Sequence, residues 1–113
     1  MVAVNKLQKA PPYPVSQALK HFGANLRTAR IRRKMTIADV ADRVGTGPRA
    51  IMDAEKGKPS TGIIVYTSLL WLYDLLQPFE DLADPLKDEE GLSLQSATER
   101  TRVRKKGSLD NDF

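Results

Sequence analysis

The sequence predicts an all-α protein in which one domain of five helices is flanked by flexible N- and C-terminal tails. Its 113 residues, of which 41% are apolar and 28% charged, suffice for one compact globular domain. Apolar residues recur at the spacing of helix faces, and Gly and Pro stand where helices should begin or end. We therefore expect a flexible arm over residues 1–15, the helical domain over residues 16–84 and a polar tail over residues 85–113.

The first two helices follow from apolar spacing and from a capping pattern. The proline-rich arm predicts extended chain without a helix. From residue 16, apolar side chains recur at i, i+3, i+7 and i+10, which predicts a helix that ends near Lys34. Thr36, with Asp39 three residues later, predicts the capped start of a second helix, and Gly45 predicts its end.

Three further helices complete the predicted domain. The third covers residues 48–56, because Pro48 suits a first helical position and Gly57 suits the position after a helix end. The fourth covers residues 62–75 and is apolar on nearly every side, so nearly every side must be covered. A short fifth helix is expected around residues 78–82, followed by a polar tail with at most a short helical patch.

Several classes of protein are excluded by what the sequence lacks. There is no cysteine, which rules out disulfides, thiolate metal sites and cysteine nucleophiles and fits a cytoplasmic location. Residues 63–76, the most apolar stretch, are too short to cross a bilayer, and the start has no signal-peptide core. The only histidine, His21, has no second metal-type ligand at helical spacing, and no catalytic motif is present. We expect no enzyme activity, metal or cofactor.

The charge is distributed unevenly along the chain. The net charge is +4, yet residues 1–38 carry eight Lys or Arg and no acid. Residues 61–98 carry one lysine against seven acids, and the tail is again mildly basic. The N-terminal part therefore suits a polyanion and the middle of the chain does not.

Two short helices joined by a tight glycine turn and preceded by a basic helix are the elements of a helix-turn-helix, whose second helix enters the DNA major groove. Residues 36–57 read TIADVADRVGTGPRAIMDAEKG. This segment resembles the Cro/C1-type (XRE) helix-turn-helix family, which implies a lambda-repressor-like fold and binding to double-stranded DNA. The matching residues are Thr36, Ala41, Gly45, Ile51, Glu55 and Gly57, with Val40 and Thr46 as near-equivalents.

Departures from the family pattern fall where DNA contacts would be made. They are Ile37, Gly47, Ala50, Met52 and Asp53. Arg49 alone could make a bidentate contact to guanine, Met52 could at best touch a thymine methyl, and Asp53 would repel phosphate. Glu55 is expected to be structural and to tie the motif to the first helix. The predicted DNA-binding residues are Arg33, Lys34, Thr36, Gly47, Pro48, Arg49, Met52, Asp53 and Lys58.

The fourth predicted helix has more apolar side chains than a small core can absorb. The remainder predicts a two-fold dimer interface, which would place two reading helices about one DNA turn, roughly 34 Å, apart. The predicted interface residues are Ile64, Tyr66, Leu69, Leu70, Trp71 and Tyr73.

Residues 69–94, with the basic residues 102–106, narrow the resemblance to the HipB-like antitoxins encoded beside HipA-type kinases. That resemblance implies a homodimer that represses its own operon and restrains a HipA-like Ser/Thr kinase toxin. We therefore predict a sequence-specific repressor that is the autoregulatory antitoxin of such an operon. The alternative is a protein-interaction module that keeps the helix-turn-helix fold but has weak or no specific DNA binding, which Ile37, Gly47 and Asp53 favour.

Overall fold

The computed structural model describes residues 5–111, with side chains described up to residue 104, and α-helix is the regular secondary structure found in this part of the chain. The all-α prediction is confirmed, although seven helices stand where five were expected. The chain forms two compact units, Met1–Phe79 and Glu80–Phe113. The helices are α1 (Lys6–Lys9), α2 (Tyr13–Arg32), α3 (Ile37–Val44), α4 (Pro48–Glu55), α5 (Ile63–Leu72), α6 (Gln77–Glu80) and α7 (Glu89–Asn111).

The core of the first unit is formed by α2, α3, α4 and α5. Phe22 on α2 stacks on Tyr66 of α5, with ring centroids 5.3 Å apart. Burial of these apolar side chains is the main favourable term in folding. The buried side chains are Leu26, Ala29, Val40, Ala41, Ile51, Ala54, Tyr66, Leu69, Leu70 and Tyr73.

Four of these helices end in the same way. Just past the end of α2, α3, α4 and α5, a residue adopts a left-handed backbone: Lys34, Gly45, Gly57 and Asp74, with φ of 55°, 88°, 68° and 58°. The amide of the following residue then donates to the carbonyl five residues back, at 3.3, 2.9, 3.0 and 2.8 Å respectively. This Schellman arrangement satisfies carbonyls that a helix end otherwise leaves unpaired. It also ends α5 at Leu72, three residues earlier than the apolar pattern predicted.

Glycine lets α2 and α4 approach closely. A Cβ atom at Gly23 would lie 2.6 Å from the carbonyl oxygens of Ala54 and Glu55. Gly57 combines its left-handed φ with a backbone contact to Leu19, which any Cβ would prevent. Two glycines therefore fix the distance between the long N-terminal helix and the end of α4.

The predicted arm is helical over most of its described length. Asn5 caps the single turn of α1 by accepting a hydrogen bond from the Leu7 amide at 2.9 Å. α2 begins at Tyr13, three residues before the predicted start. Pro14 lies in its first turn, where a backbone N–H would have no acceptor within the helix, so its absence costs no hydrogen bond. The prediction of an arm without a helix is therefore wrong for residues 6–9 and 13–15, and residues 1–4 lie outside the described part.

The second unit contains α7, where the sequence predicted at most a short helical patch. Asp88 caps its start by accepting a hydrogen bond from the Gly91 amide at 3.0 Å, and Glu89 and Glu90 occupy its first turn. Acids at a helix start complement the helix dipole. The prediction for this segment is therefore wrong. None of the helices in residues 5–111 is long and apolar enough to cross a membrane.

Candidate nucleic-acid interface

The unit formed by α3, a short turn and α4 begins with a complete capping box. The Thr36 hydroxyl accepts a hydrogen bond from the Asp39 amide, and the Asp39 carboxylate accepts one from the Thr36 amide, both at 3.0 Å. The hydrogen bond that the carboxylate accepts from the Thr36 amide, followed by the contribution of the Thr36 hydroxyl, lowers the pKa of Asp39. Gly45, with φ of 88°, ends α3. The predicted boundaries of this helix are confirmed.

The start of α4 is open. Gly47 occupies the N-cap position and has no side chain to cap the helix, and Pro48 fills a first-turn position. Gly47 and Pro48 are exposed. The first amides of a helix have no partner within the helix, and together with the helix dipole they favour anions. Pro48 has no amide proton and the Ala50 amide already donates to the Gly47 carbonyl at 3.2 Å, so the amides of Gly47 and Arg49 are those left for a phosphate.

One face of α4 is buried and the other carries the predicted reading residues. Ile51 and Ala54 lie in the core. The Arg49 side chain is 74% exposed, whereas the Asp53 side chain is 23% exposed. Met52 is half-buried, so it offers only part of its side chain to a partner. Among the predicted contacts on α4, Arg49 thus reaches farthest into solvent.

Asp53 lies between two cations. Its Oδ1 is 3.5 Å from Nε of Arg49, one helical turn earlier, and 3.3 Å from Nζ of Lys58. The sequence analysis treated Asp53 only as a charge that repels phosphate and missed these pairs. The i, i+4 spacing from Arg49 was the available signal. The structure thus brings three of the predicted site residues together.

The first predicted phosphate contact, Arg33, has a structural role. Its Nη1 donates to the carbonyl of Ala29 and its Nη2 to the carbonyl of Tyr73, each at 2.9 Å. Its guanidinium also lies 5.3 Å from the centre of the Tyr73 ring. Arg33 therefore joins the end of α2 to the end of α5 and uses two of its five N–H donors to do so. The neighbouring Lys34 is exposed.

Glu55 ties α4 to α2, as expected, and its partner is Arg30. Nε and Nη2 of Arg30 donate to the two carboxylate oxygens of Glu55 at 2.7 and 3.0 Å. Nη1 donates to the carbonyl of Met35 at 3.0 Å. The hydrogen bond with Glu55 raises the pKa of Arg30. Sequence reasoning missed Arg30, although it follows Leu26 by four residues and so shares the core-facing side of α2.

Four of the six predicted dimer residues lie in the core of a single chain. Tyr66, Leu69, Leu70 and Tyr73 are 0–8% exposed, so they cannot also contact a second chain unless the core opens. Burial raises the pKa of both tyrosines. The remaining two residues, Ile64 and Trp71, are 71% and 64% exposed. Their separation of seven residues, about two helical turns, puts them on one side of α5.

Neither a metal centre nor a relative identifies the chemistry of this surface. Within the described residues, no three side chains of the His, Asp or Glu type form a cluster that could hold a metal. No protein-family model, curated protein or solved structure matched this chain. The function of this surface is therefore inferred from the arrangement of its side chains and from the sequence motif.

Proposed function

We propose that this protein is a sequence-specific DNA-binding transcriptional repressor with a Cro/C1-type helix-turn-helix. The observation that carries the proposal is the α3–turn–α4 unit, in which an uncapped helix start and the exposed Arg49 stand side by side. In a helix-turn-helix the N-terminal residues of the second helix contact base edges in the major groove. Arg49 occupies that place in α4.

The proposed base recognition depends on a single side chain, that of Arg49. An arginine can donate two hydrogen bonds to O6 and N7 of a guanine, which is the commonest base-specific contact. The amides at the start of α4, together with Lys34 and Lys58, would hold the phosphate backbone and set the register. We therefore expect an operator in which one guanine in each half-site dominates recognition.

Dimerisation is proposed through the exposed side of α5. Ile63, Ile64 and Trp71 are all more than 60% exposed, and their contact with a second copy would remove a large apolar area from water. A two-fold dimer places two reading helices on successive major grooves and accounts for palindromic operators. Of the interface predicted from sequence, Ile64 and Trp71 remain in this proposal.

The proposed physiological role is that of a cytoplasmic antitoxin that represses its own operon and restrains a HipA-like kinase. It is supported by the resemblance of residues 69–94 and 102–106 to HipB-like proteins. Co-purification of the chain with the product of a neighbouring kinase gene would test this part of the proposal, and failure to form a complex would contradict it.

The DNA-binding proposal is tested by fluorescence-anisotropy titration against the DNA upstream of the gene and against a scrambled duplex. Arg49→Ala should reduce discrimination between the two by about 1–3 kcal/mol, roughly 5- to 150-fold. Arg27→Ala removes the same charge from an exposed position that makes no ion pair with the described residues, so it should leave discrimination unchanged. Equal, strongly salt-dependent binding of both duplexes by the wild type would contradict the proposal.

A second candidate function is a protein-interaction module without specific DNA binding. Asp53 favours it, because its carboxylate partly neutralises Arg49 and Lys58 and so weakens the positive surface beside α4. The exposed apolar side chains of α5 would then serve a partner protein. On this alternative, Arg49→Ala would change neither DNA discrimination nor partner binding.

A further inference from the structure

The carboxylate of Asp53 lies beside the guanidinium of Arg49. The shortest contact joins Oδ1 of Asp53 to Nε of Arg49 at 3.5 Å, which is an ion-pair distance and not a hydrogen bond. No hydrogen bond within the described residues uses the two terminal nitrogens of Arg49, and its side chain is 74% exposed. A guanidinium is planar and presents two edges of paired donors. Because Nε is the nitrogen that pairs with Asp53, the edge formed by Nη1 and Nη2 remains for an external partner.

Asp53 is itself held in place. The amide of Lys58 donates to the Asp53 carbonyl at 3.0 Å, and Nζ of Lys58 lies 3.3 Å from the same Oδ1 that faces Arg49. That oxygen is buried and makes no hydrogen bond of good geometry within the described residues, so it can still tighten its contact with a donor. Lys58 thus pairs with the carboxylate from the C-terminal side, and Arg49 pairs with it from the N-terminal side.

Helix stability does not account for the Arg49–Asp53 pair. A cation in the first turn of a helix opposes the dipole, and the pair has the less favourable of the two i, i+4 orientations. An exposed pair of this kind contributes little to folding. The pair instead restricts the rotamers of Arg49, whose long side chain would otherwise adopt many of them.

We propose that Asp53 is a positioning residue that holds Nε of Arg49 and directs the Nη1–Nη2 edge toward O6 and N7 of a guanine. This inference deepens, and depends on, the DNA-binding function proposed above. It assigns Asp53 a second effect besides repulsion of phosphate. The carboxylate weakens binding to any duplex, but it strengthens binding to the correct base relative to the others, because the arginine is ordered before DNA arrives.

The proposal predicts opposite changes in affinity and specificity. Asp53→Asn removes a negative charge, so affinity for a scrambled duplex should rise. Discrimination in favour of the upstream DNA should fall about 2- to 10-fold, which corresponds to immobilising one flexible side chain on binding. In a double-mutant cycle, Asp53→Asn should have no further effect on discrimination once Arg49 is replaced by alanine.

Asp42→Asn is the matched control. Asp42 is an exposed acid of α3 and has no ion pair within the described residues. Its neutralisation should change affinity for both duplexes by the same factor and leave their ratio unchanged. A ratio that stays constant or rises in Asp53→Asn would overturn the proposal, because Asp53 would then act only by repulsion or by masking Arg49.

A measurement without DNA separates this inference from the proposed function. In the free protein, ¹⁵N relaxation should give the Nε–H group of Arg49 a higher order parameter than that of Arg27, and Asp53→Asn should remove the difference. Equal order parameters in the wild type would overturn the positioning role even if DNA binding is specific. If Arg49 is ordered but neither duplex is preferred, the DNA-reading function fails and the positioning of Arg49 toward guanine fails with it.

Discussion

Glu55→Ala should destabilise the first unit strongly, because it leaves a shielded guanidinium without its counter-charge. The side chains of Arg30 and Glu55 are only 11% and 6% exposed. The substitution removes two charge-assisted hydrogen bonds, of 2.7 and 3.0 Å. Among the described residues, the carbonyl of Met35 would be the one acceptor left to Arg30. The loss therefore combines missing bonds with an unpaired charge in a poorly hydrated place.

The magnitude follows from these contacts. Removal of one partner of a buried ion pair costs about 3–5 kcal/mol, and the low end applies here because Arg30 keeps one bond and some contact with water. We expect a loss of about 3 kcal/mol. A unit of roughly 75 residues has a total stability of about 4–11 kcal/mol. The expected loss is thus a large part of the total and should lower Tm by about 12–24 °C.

Urea denaturation followed by circular dichroism measures this loss. Asp42→Ala, at an exposed acid, should stay within about 0.5 kcal/mol of the wild type. The double variant Arg30→Met with Glu55→Leu should recover most of the stability, because it leaves no unpaired charge. A loss below about 1 kcal/mol in Glu55→Ala would contradict this expectation, since the pair would then behave like an exposed surface pair.

The remaining predictions concern stability and assembly. Thr36→Ala should cost about 1 kcal/mol in urea denaturation. The pKa of its partner Asp39 is lowered, so the stabilisation from this carboxylate is present above the ordinary pKa of 3.8 and is lost as the pH falls through the folded-state pKa. Comparison of the wild type with Asp39→Asn between pH 7 and pH 2 would detect this loss. Gly23→Ala should cost about 1–3 kcal/mol in urea denaturation, because its Cβ would lie 2.6 Å from two backbone oxygens. Burial raises the pKa of Tyr73, so the folded state binds the phenolic proton more tightly than the unfolded state does. The stabilisation from this proton is complete below pH 10 and is lost as the pH rises through the folded-state pKa. Alkaline unfolding should therefore be less marked in Tyr73→Phe. Trp71→Glu should shift a dimer to monomer in sedimentation equilibrium without unfolding the chain, and an unchanged mass would contradict dimerisation through α5.

The sequence predicted helix ends well where the ending residue is glycine or where a side chain caps the helix. Thr36 with Asp39, Gly45 and Gly57 were each placed correctly. Lys34 and Asp74 adopt the same left-handed backbone as Gly57; lysine rarely does so, and aspartate does so less often than glycine. The end of α2 near Lys34 was nevertheless predicted from its apolar spacing. The end of α5 was not, because the apolar run continues past Asp74 to Leu75 and Leu76.

The two largest differences from the predicted fold arose because apolar periodicity was used as the main signal. α7 has no apolar stripe, yet it begins with a capping Asp88 and two acids, and Gln95 donates to Glu99 at 3.0 Å one turn later. These are local helix signals that need no core. In the arm, prolines were interpreted as extended chain, although Pro14 is compatible with the first turn of a helix.

Contacts between elements that are distant in sequence defined the site in ways that no local pattern shows. Arg33 was assigned to DNA because it is basic and lies beside the motif, but its partner, Tyr73, is 40 residues away. Glu55 was correctly judged structural from its place in the motif, whereas identifying Arg30 as its partner required the packing of α2 on α4. The sequence therefore shows where a charged side chain stands along the chain. Whether that side chain pairs within the protein or binds a ligand depends on the tertiary structure.

Tertiary structure also decides which side chains of α5 are buried. Nearly every position of this helix is apolar, so periodicity cannot distinguish its buried residues from its exposed ones. The core takes the side that carries Leu69 and Tyr73, and this removes most of the interface predicted from sequence. What remains is smaller but better defined: Ile63, Ile64 and Trp71 stay exposed on a helix that has no charged residue. Such a side is costly to leave in water. Its cover by a second copy would therefore depend on three side chains, which makes Trp71 the residue whose replacement should separate dimerisation from folding.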